Sequence, residues 1–313
     1  MKYLIKLIKY LKPYKVAAVI APLFMIVEVV MDLFQPLLLE KIIDIGVANG
    51  DLKYVISTGL IMLLIALVGA VGGILCSLFS SKASMSMGAD LREDLFRKVQ
   101  SFSFSNLDEH ETGHLITRLT NDVVQVQNII LMMLRIFVRA PLMFLGCLIM
   151  AIITSPELSP IIFIMLPILA VTIIIVIKKA FPIFTTVQNK LDKINTVIQE
   201  NLSGIRVVKA YVRWKYENER FKNANNDYMG AMIKASKIII FIMPIMMLVM
   251  NLGITAVIWF GGLEVYTGSL KVGEIMAFIN YLMQVLGALM MTAMVFMMLS
   301  RSEASAKRIS EVL

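Results

Sequence analysis

Charge disappears from this chain in long windows. Residues 54–81, 238–263 and 275–300 each run more than twenty positions without an Asp, Glu, Lys or Arg, and residues 158–177 run twenty. Each window is long enough to cross a hydrocarbon core roughly 30 Å thick. Residues 16–39, with Glu28 and Asp32, and the window ending at Thr154, with Arg135 and Arg139, bring the expected spans to six. The pattern predicts an all-α membrane protein with six transmembrane helices, over about 16–45, 54–104, 114–154, 158–204, 220–263 and 273–313.

Residues 113–130, GHLITRLTNDVVQVQNII, break this apolar pattern. Leu115, Leu119, Val123, Val126 and Ile130 recur at steps of three or four, with Arg118, Asn121, Asp122, Gln125 and Gln127 between them. That is the period of an amphipathic helix. It predicts a third span that begins outside the bilayer, with an Arg118–Asp122 pair available at i, i+4, worth only a few tenths of a kcal/mol. Leu91, Leu95, Val99 and Phe102 extend the second span in the same way, and Val187, Leu191, Ile194, Ile198 and Leu202 extend the fourth. At about 1.5 Å per residue, such extensions reach roughly 35–40 Å past the membrane. The period breaks once in each excursion, at SFSFSNLDEHETG and after Gly204 in SGIRVVKAYVRWKYENERF. Two helical hairpins follow, each tipped by a short helix.

Composition and charge then orient the bundle. The chain is 58% hydrophobic, with a mean hydropathy of +0.80. The N-terminus, residues 82–139, residues 178–237 and the C-terminus hold 27 of the 30 lysines and arginines. The positive-inside rule places that side, with both termini, in the cytoplasm of a multi-pass protein of the cell membrane. The +8 net charge is thus a topology signal, and its spread over four connections argues against a nucleic-acid partner. In MKYLIKLIKYLKPYK, Lys2, Lys6, Lys9 and Lys12 alternate with Leu4, Ile5, Leu7, Ile8 and Leu11. This reads as an amphipathic elbow helix over 1–15, lying in the inner interface, rather than a cleaved signal peptide. Cys76 and Cys147 fall inside spans, with no metal or disulfide framework.

Several runs together resemble the transmembrane half of an ABC exporter over the whole chain. They are YLKPYK, LITRLTNDV after a D-x-x-x-x-G-like stretch, ENLSGIRVVKAY with its charged turn and ENERF, Gly273-Glu274 before Met276-Ala277-Phe278, and SAKRISEVL. LITRLTNDVVQVQN followed by MLRIFVRAPLMF is most similar to one half of the bacterial heterodimeric multidrug exporters. The resemblance implies a transmembrane domain over 16–313 that pairs with a second half-transporter, a paralogue. It implies ATP-driven export of amphipathic or drug-like molecules by alternating access. It also implies coupling helices near 106–112 and 211–219 that rest on nucleotide-binding domains. Their contact residues would be Asn106, Leu107, Asp108, Glu109, His110 and Glu111 in the first, and Tyr211, Arg213, Trp214, Lys215, Tyr216 and Glu217 in the second. No G-x-x-x-x-G-K-[ST] phosphate loop occurs, so ATP and Mg2+ are expected to act in a nucleotide-binding domain absent from this chain, which itself holds no cofactor. The glycine run GAVGG, residues 69–73, reads as a helix-packing site instead.

Glu28 and Asp32 share one face of the first span. Ionisable groups at that depth face protein or a wet cavity, so they either line the translocation path or pair with Arg135 or Arg139. The two arginines, also four apart, are expected to snorkel to the interface. Asn251, Asn280, Tyr281 and Gln284 are the other candidates for the substrate cavity. Rival readings are an ion-coupled secondary transporter using Glu28 and Asp32, or a membrane scaffold whose hairpins are docking arms.

Overall fold

The structure, a computed structural model, describes residues 2–103 and 112–313, which are helical almost throughout. α1 (Lys2–Leu7) passes through a 3-10 turn (Ile8–Tyr14) into α2 (Lys15–Lys41), which closes with a π-helical turn (Ile42–Val47). α3 (Leu52–Gln100) is a single rod of 49 residues. The next rod is α4 (Thr112–Thr117), a π turn (Arg118–Asp122) and α5 (Val123–Thr154). After the 3-10 turn Pro156–Leu158 come α6 (Ser159–Ser203), α7 (Ile205–Ala210), α8 (Trp214–Ile240), α9 (Ile242–Thr267) and α10 (Val272–Val312).

Among the described residues, five stretches are long and apolar enough to cross a membrane: Tyr3–Val47, Leu52–Gln100, Gly113–Thr154, Trp214–Thr267 and Val272–Thr292. The expected fourth span corresponds to α6, a single helix of 45 residues. The expected fifth span lies within Trp214–Thr267 and contains a one-residue turn. Pro244 has no amide to give the carbonyl of Ile240, and its ring crowds that turn, so the helix breaks at Phe241 between α8 and α9. The sequence also predicts an unbroken helix from His114 onward, whereas the polar segment Arg118–Asp122 widens into a π turn.

The chain forms two compact units, Met1–Ser159 with Phe260–Leu313, and Pro160–Trp259. In the first, α2 and α3 meet along the glycine run. A Cβ on Gly72 would lie 3.1 Å from the carbonyl oxygen of Phe24, and one on Gly69 would lie 3.2 Å from Met31. Inside a bilayer such close backbone approach, rather than escape from water, draws helices together.

At the lysine- and arginine-rich end, water takes over as the driving force. There Leu4 and Leu7 of α1, Met87, Leu91 and Leu95 of α3, Val123, Val126 and Ile129 of α5, and Ile309 of α10 form one buried cluster. Each fully buried aliphatic side chain contributes about 1.5–3 kcal/mol. Protein, not lipid, covers Leu4 and Leu7, while Ile5, Lys6, Lys9 and Lys12 stay exposed. The Tyr10 hydroxyl donates to Asp94 at 2.9 Å and that of Tyr14 to Asp90 at 3.1 Å. The amides of Tyr3 and Leu4 donate to the Glu303 carboxylate at 3.1 and 3.3 Å.

Partial burial works against the Glu303 charge, but the N-terminal amine first, then the Tyr3 and Leu4 amides, prevail and hold its carboxyl below the ordinary glutamate value of 4.5. A depressed carboxyl stabilises the fold above the unfolded pKa, and that stability is lost as pH falls through the lower folded value. Amide-exchange protection of Tyr3 and Leu4, corrected for intrinsic rates, is therefore expected to fall as pH drops below about 4. In Glu303→Gln that pH dependence should vanish.

In the second unit α6 and α8 are the arms of a hairpin. Ile194, Val197 and Ala224 form its core with Tyr228 against them. Lys190 pairs with Asp227 at 2.6 Å, and Arg220 pairs with Glu200.

Candidate functional site

Within the spans, the structure resolves the choice left open for Glu28 and Asp32. One arginine binds both: Arg139 of α5 donates to Glu28 through one guanidinium nitrogen and to Asp32 at 2.7 Å through the other. Arg139 therefore does not snorkel, since two carboxylates within reach outweigh the interface. Arg135, one turn earlier, makes no hydrogen bond or ion pair among the described residues. It faces a cavity of about 350 Å³ between α2, α3 and α5, whose walls include Glu28, Gly73 and Ser77.

The remaining cavity candidates are dispersed. Tyr281 is fully buried, and its hydroxyl donates to the Leu33 carbonyl at 2.8 Å. Gln284 accepts from the Cys147 thiol at 3.3 Å. Both make an interhelical hydrogen bond, tying α10 to α2 and α5. Asn280 donates to the Met276 carbonyl of its own helix at 2.8 Å. Asn251 belongs to the second unit, where it is exposed beside Met247 and Thr255 of α9.

Of the hairpin tips, Asn106, Leu107, Asp108, Glu109, His110 and Glu111 lie outside the described residues. The second tip is built locally. α6 stops at Gly204, α7 makes one and a half turns, and a turn over residues 211–213 starts α8. The short helix thus occupies Ile205–Ala210, while residues 214–219 are the opening turns of a long arm. Tyr211, Arg213, Trp214, Lys215 and Tyr216 are exposed. Glu217 is turned inward: it accepts from Asn201 of α6 at 3.3 Å and lies 3.7 Å from Arg220, which occupies it with the other arm.

Sequence reasoning missed Val212. It is exposed and has φ of 52°, the left-handed region that a β-branched residue rarely enters. Such strain persists where the surroundings impose it, often at functional sites. Its only advance signal is its place in the turn.

At the basic end, the polar face of the third rod finds partners in α10 rather than in itself. Arg308 forks onto Asp122, with Nε 2.8 Å from one oxygen and a terminal nitrogen on the other. It also reaches Ser305 Oγ at 3.1 Å. Arg118 lies 3.6 Å from Glu311. The intrahelical Arg118–Asp122 pair is not formed, because the π turn and α10 offer both residues better partners.

The chain has no phosphate-loop sequence, and among the described residues no three His, Cys, Asp or Glu converge as a metal site.

Comparison with known proteins agrees with this geometry. The chain is 40% identical over 308 residues to the uncharacterized ABC transporter ATP-binding protein YfiB of Bacillus subtilis (strain 168), covering 98% of this chain and 54% of that protein. It is 33% identical over 310 residues to the uncharacterized ABC transporter ATP-binding protein Rv1273c of Mycobacterium tuberculosis (strain H37Rv), covering 97% and 52%. The putative ABC transporter ATP-binding protein exp8 of Streptococcus pneumoniae (serotype 4) is 24% identical over 308 residues, covering 97% and 52%. The chain spans about half the length of these relatives. The profile described as ABC transporter transmembrane region matches residues 18–289, more than half of the chain, and it is to this family that the chain belongs.

Proposed function

We propose that the chain is the translocation domain of an ATP-driven exporter, moving amphipathic or drug-like molecules out of the cytoplasm by alternating access. The observation that carries this reading is the tip of the second hairpin. Tyr211 is 75% exposed and Val212 70%, with Trp214 and Tyr216 beside them. A cluster of exposed aromatic and aliphatic side chains in water marks a docking surface. The arms behind it, clamped by Lys190–Asp227 and Arg220–Glu200, are stiff enough to transmit a push.

The surface fits a nucleotide-binding domain. The relatives carry ATP-binding in their names and are about twice as long. ATP and Mg2+ would act in that domain, supplying the closure that drives the tips together. This chain's residues receive and carry the motion, with α10 tied to the start of the third rod by Arg308 and Asp122. The other half of the transporter we take to be a paralogue, in a cell membrane with both termini cytoplasmic. The ion-coupled alternative loses ground because Arg139 already engages both Glu28 and Asp32.

In the intact transporter, Tyr211→Ala and Trp214→Ala are each expected to lower substrate-stimulated ATPase activity about tenfold, as loss of a central aromatic anchor does at an interface. The thermal midpoint of the domain should not move. Unchanged ATPase and transport in both variants would overturn the reading.

A further inference from the structure

We infer that the acids of α2 and the arginines of α5 form a ladder with two registers, and that the structure holds one of them. Glu28 and Asp32 are four residues apart, as are Arg135 and Arg139. Each pair therefore presents two like charges about 6 Å apart on one helical face.

The two helices run in the same direction. Glu28 and Asp32 lie against Arg139, and further along both chains Leu33 lies against Gly146. In parallel helices the equally spaced rungs are Glu28–Arg135 and Asp32–Arg139. The structure instead shows Arg139 serving both acids, and Arg135 idle in a cavity whose wall includes Glu28. An arginine without a partner at membrane depth is unfavourable, and the cavity gives it room to reach Glu28.

One glycine keeps the alternative open, and a second marks the present register. A Cβ on Gly73 would stand 2.8 Å from Glu28 Oε2, so the glycine leaves the carboxylate space to turn. A Cβ on Gly146 would stand 2.5 Å from the Leu33 side chain, so Leu33 sits in a glycine notch in the present register and must leave it in the other. In the second register α5 advances along α2 by up to one turn, about 5.4 Å. Arg139 then keeps Asp32, and Arg135 takes Glu28. The same four charges are present in both states, and the second register gives Arg135 the partner that it lacks in the first. Within the proposed exporter, on which this role rests, the two registers are stopping points for the first and third spans during alternating access.

The test needs no nucleotide. Thermal midpoints of this chain in nanodiscs form a double-mutant cycle. Arg135→Gln alone is expected to change the midpoint little. In the Arg139→Gln background, where Glu28 must turn to Arg135, the same change should lower it by roughly 5 °C more, and Glu28→Gln should abolish that extra loss. If Arg139→Gln does not fold, Arg139→Lys serves as the background, since one ammonium cannot fork to both acids. Spin labels at Leu39→Cys and Ile153→Cys, with Cys76 and Cys147 replaced by serine, should shift by several ångströms in the Arg139→Gln chain and return in the double variant. Additive midpoints, or coupled midpoints with unmoved labels, overturn the two-register ladder. Either result leaves the exporter reading intact, which stands or falls on the tip variants.

Discussion

Arg308→Ala is expected to destabilise the domain by about 2–4 kcal/mol. The reason lies with the residue left behind. Asp122 is 2% exposed, and the fork from Arg308 supplies its counter-charge. Breaking a wholly buried pair costs about 3–5 kcal/mol. Arg308 is 46% exposed on its side chain, so water can follow the truncation and the loss should fall below that ceiling. Hydrogen bonding to Asp122 raises the already high arginine pKa, so the effect should persist at every pH above the carboxylate range. Asp122→Asn, which keeps an acceptor without stranding a charge, should cost only about 1 kcal/mol. Denaturant unfolding in micelles, followed by circular dichroism, separates the two. Equal losses would show that the cavity rather than the charge decides.

Gly273→Ala ranks second, at about 2–3 kcal/mol of overpacking. Gly273 opens α10, and its amide donates to Asp44 at 2.7 Å. A Cβ there would lie 2.6 Å from the Asp44 carboxyl and 2.6 Å from the Glu40 carbonyl oxygen. A side chain can swing away, but a carbonyl inside a helix cannot, so the end of α2 must be pushed off α10. Gly287→Ala is the control. The same helix has open space there, and alanine should be neutral or better by about 0.5–1 kcal/mol through helix propensity. Comparing the two thermal midpoints checks that space, not propensity, sets the sign.

Much of the fold was legible because the forces that make it are local. Uncharged windows and a 3.6-residue period are properties of neighbouring residues, and they place the rods, the break after Gly204 and the hairpin core at Ile194. Partnership was not legible. Asp122 sits on a polar stretch and reads as wet; its burial depends on an arginine 186 positions away. Arg139 reads as a snorkelling cation until two acids from another helix are placed beside it. Tyr281 reads as a cavity polar group until the Leu33 carbonyl takes its hydrogen bond. Glu217 has the opposite fault, since its charge suggests an outward contact while Asn201 and Arg220 hold it to the hairpin. The break before α9 was readable, because counting back four residues from Pro244 gives the carbonyl that loses its donor. Val212 was not, since propensity argues against a valine in that backbone region.

The discontinuity of the first unit has a consequence for synthesis. Its second piece, Phe260–Leu313, emerges only after the whole of Pro160–Trp259 has been made. The amides of Tyr3 and Leu4 must wait for Glu303, 300 and 299 residues later. At about 5–20 residues per second, that wait lasts roughly 15–60 s. For the later part of that interval, once Asp90 and Asp94 have emerged, the elbow has its tyrosine bonds but no carboxylate cap, and Asp122 has no guanidinium. The nascent bundle is an unfinished arch, and the last helix to arrive is its keystone.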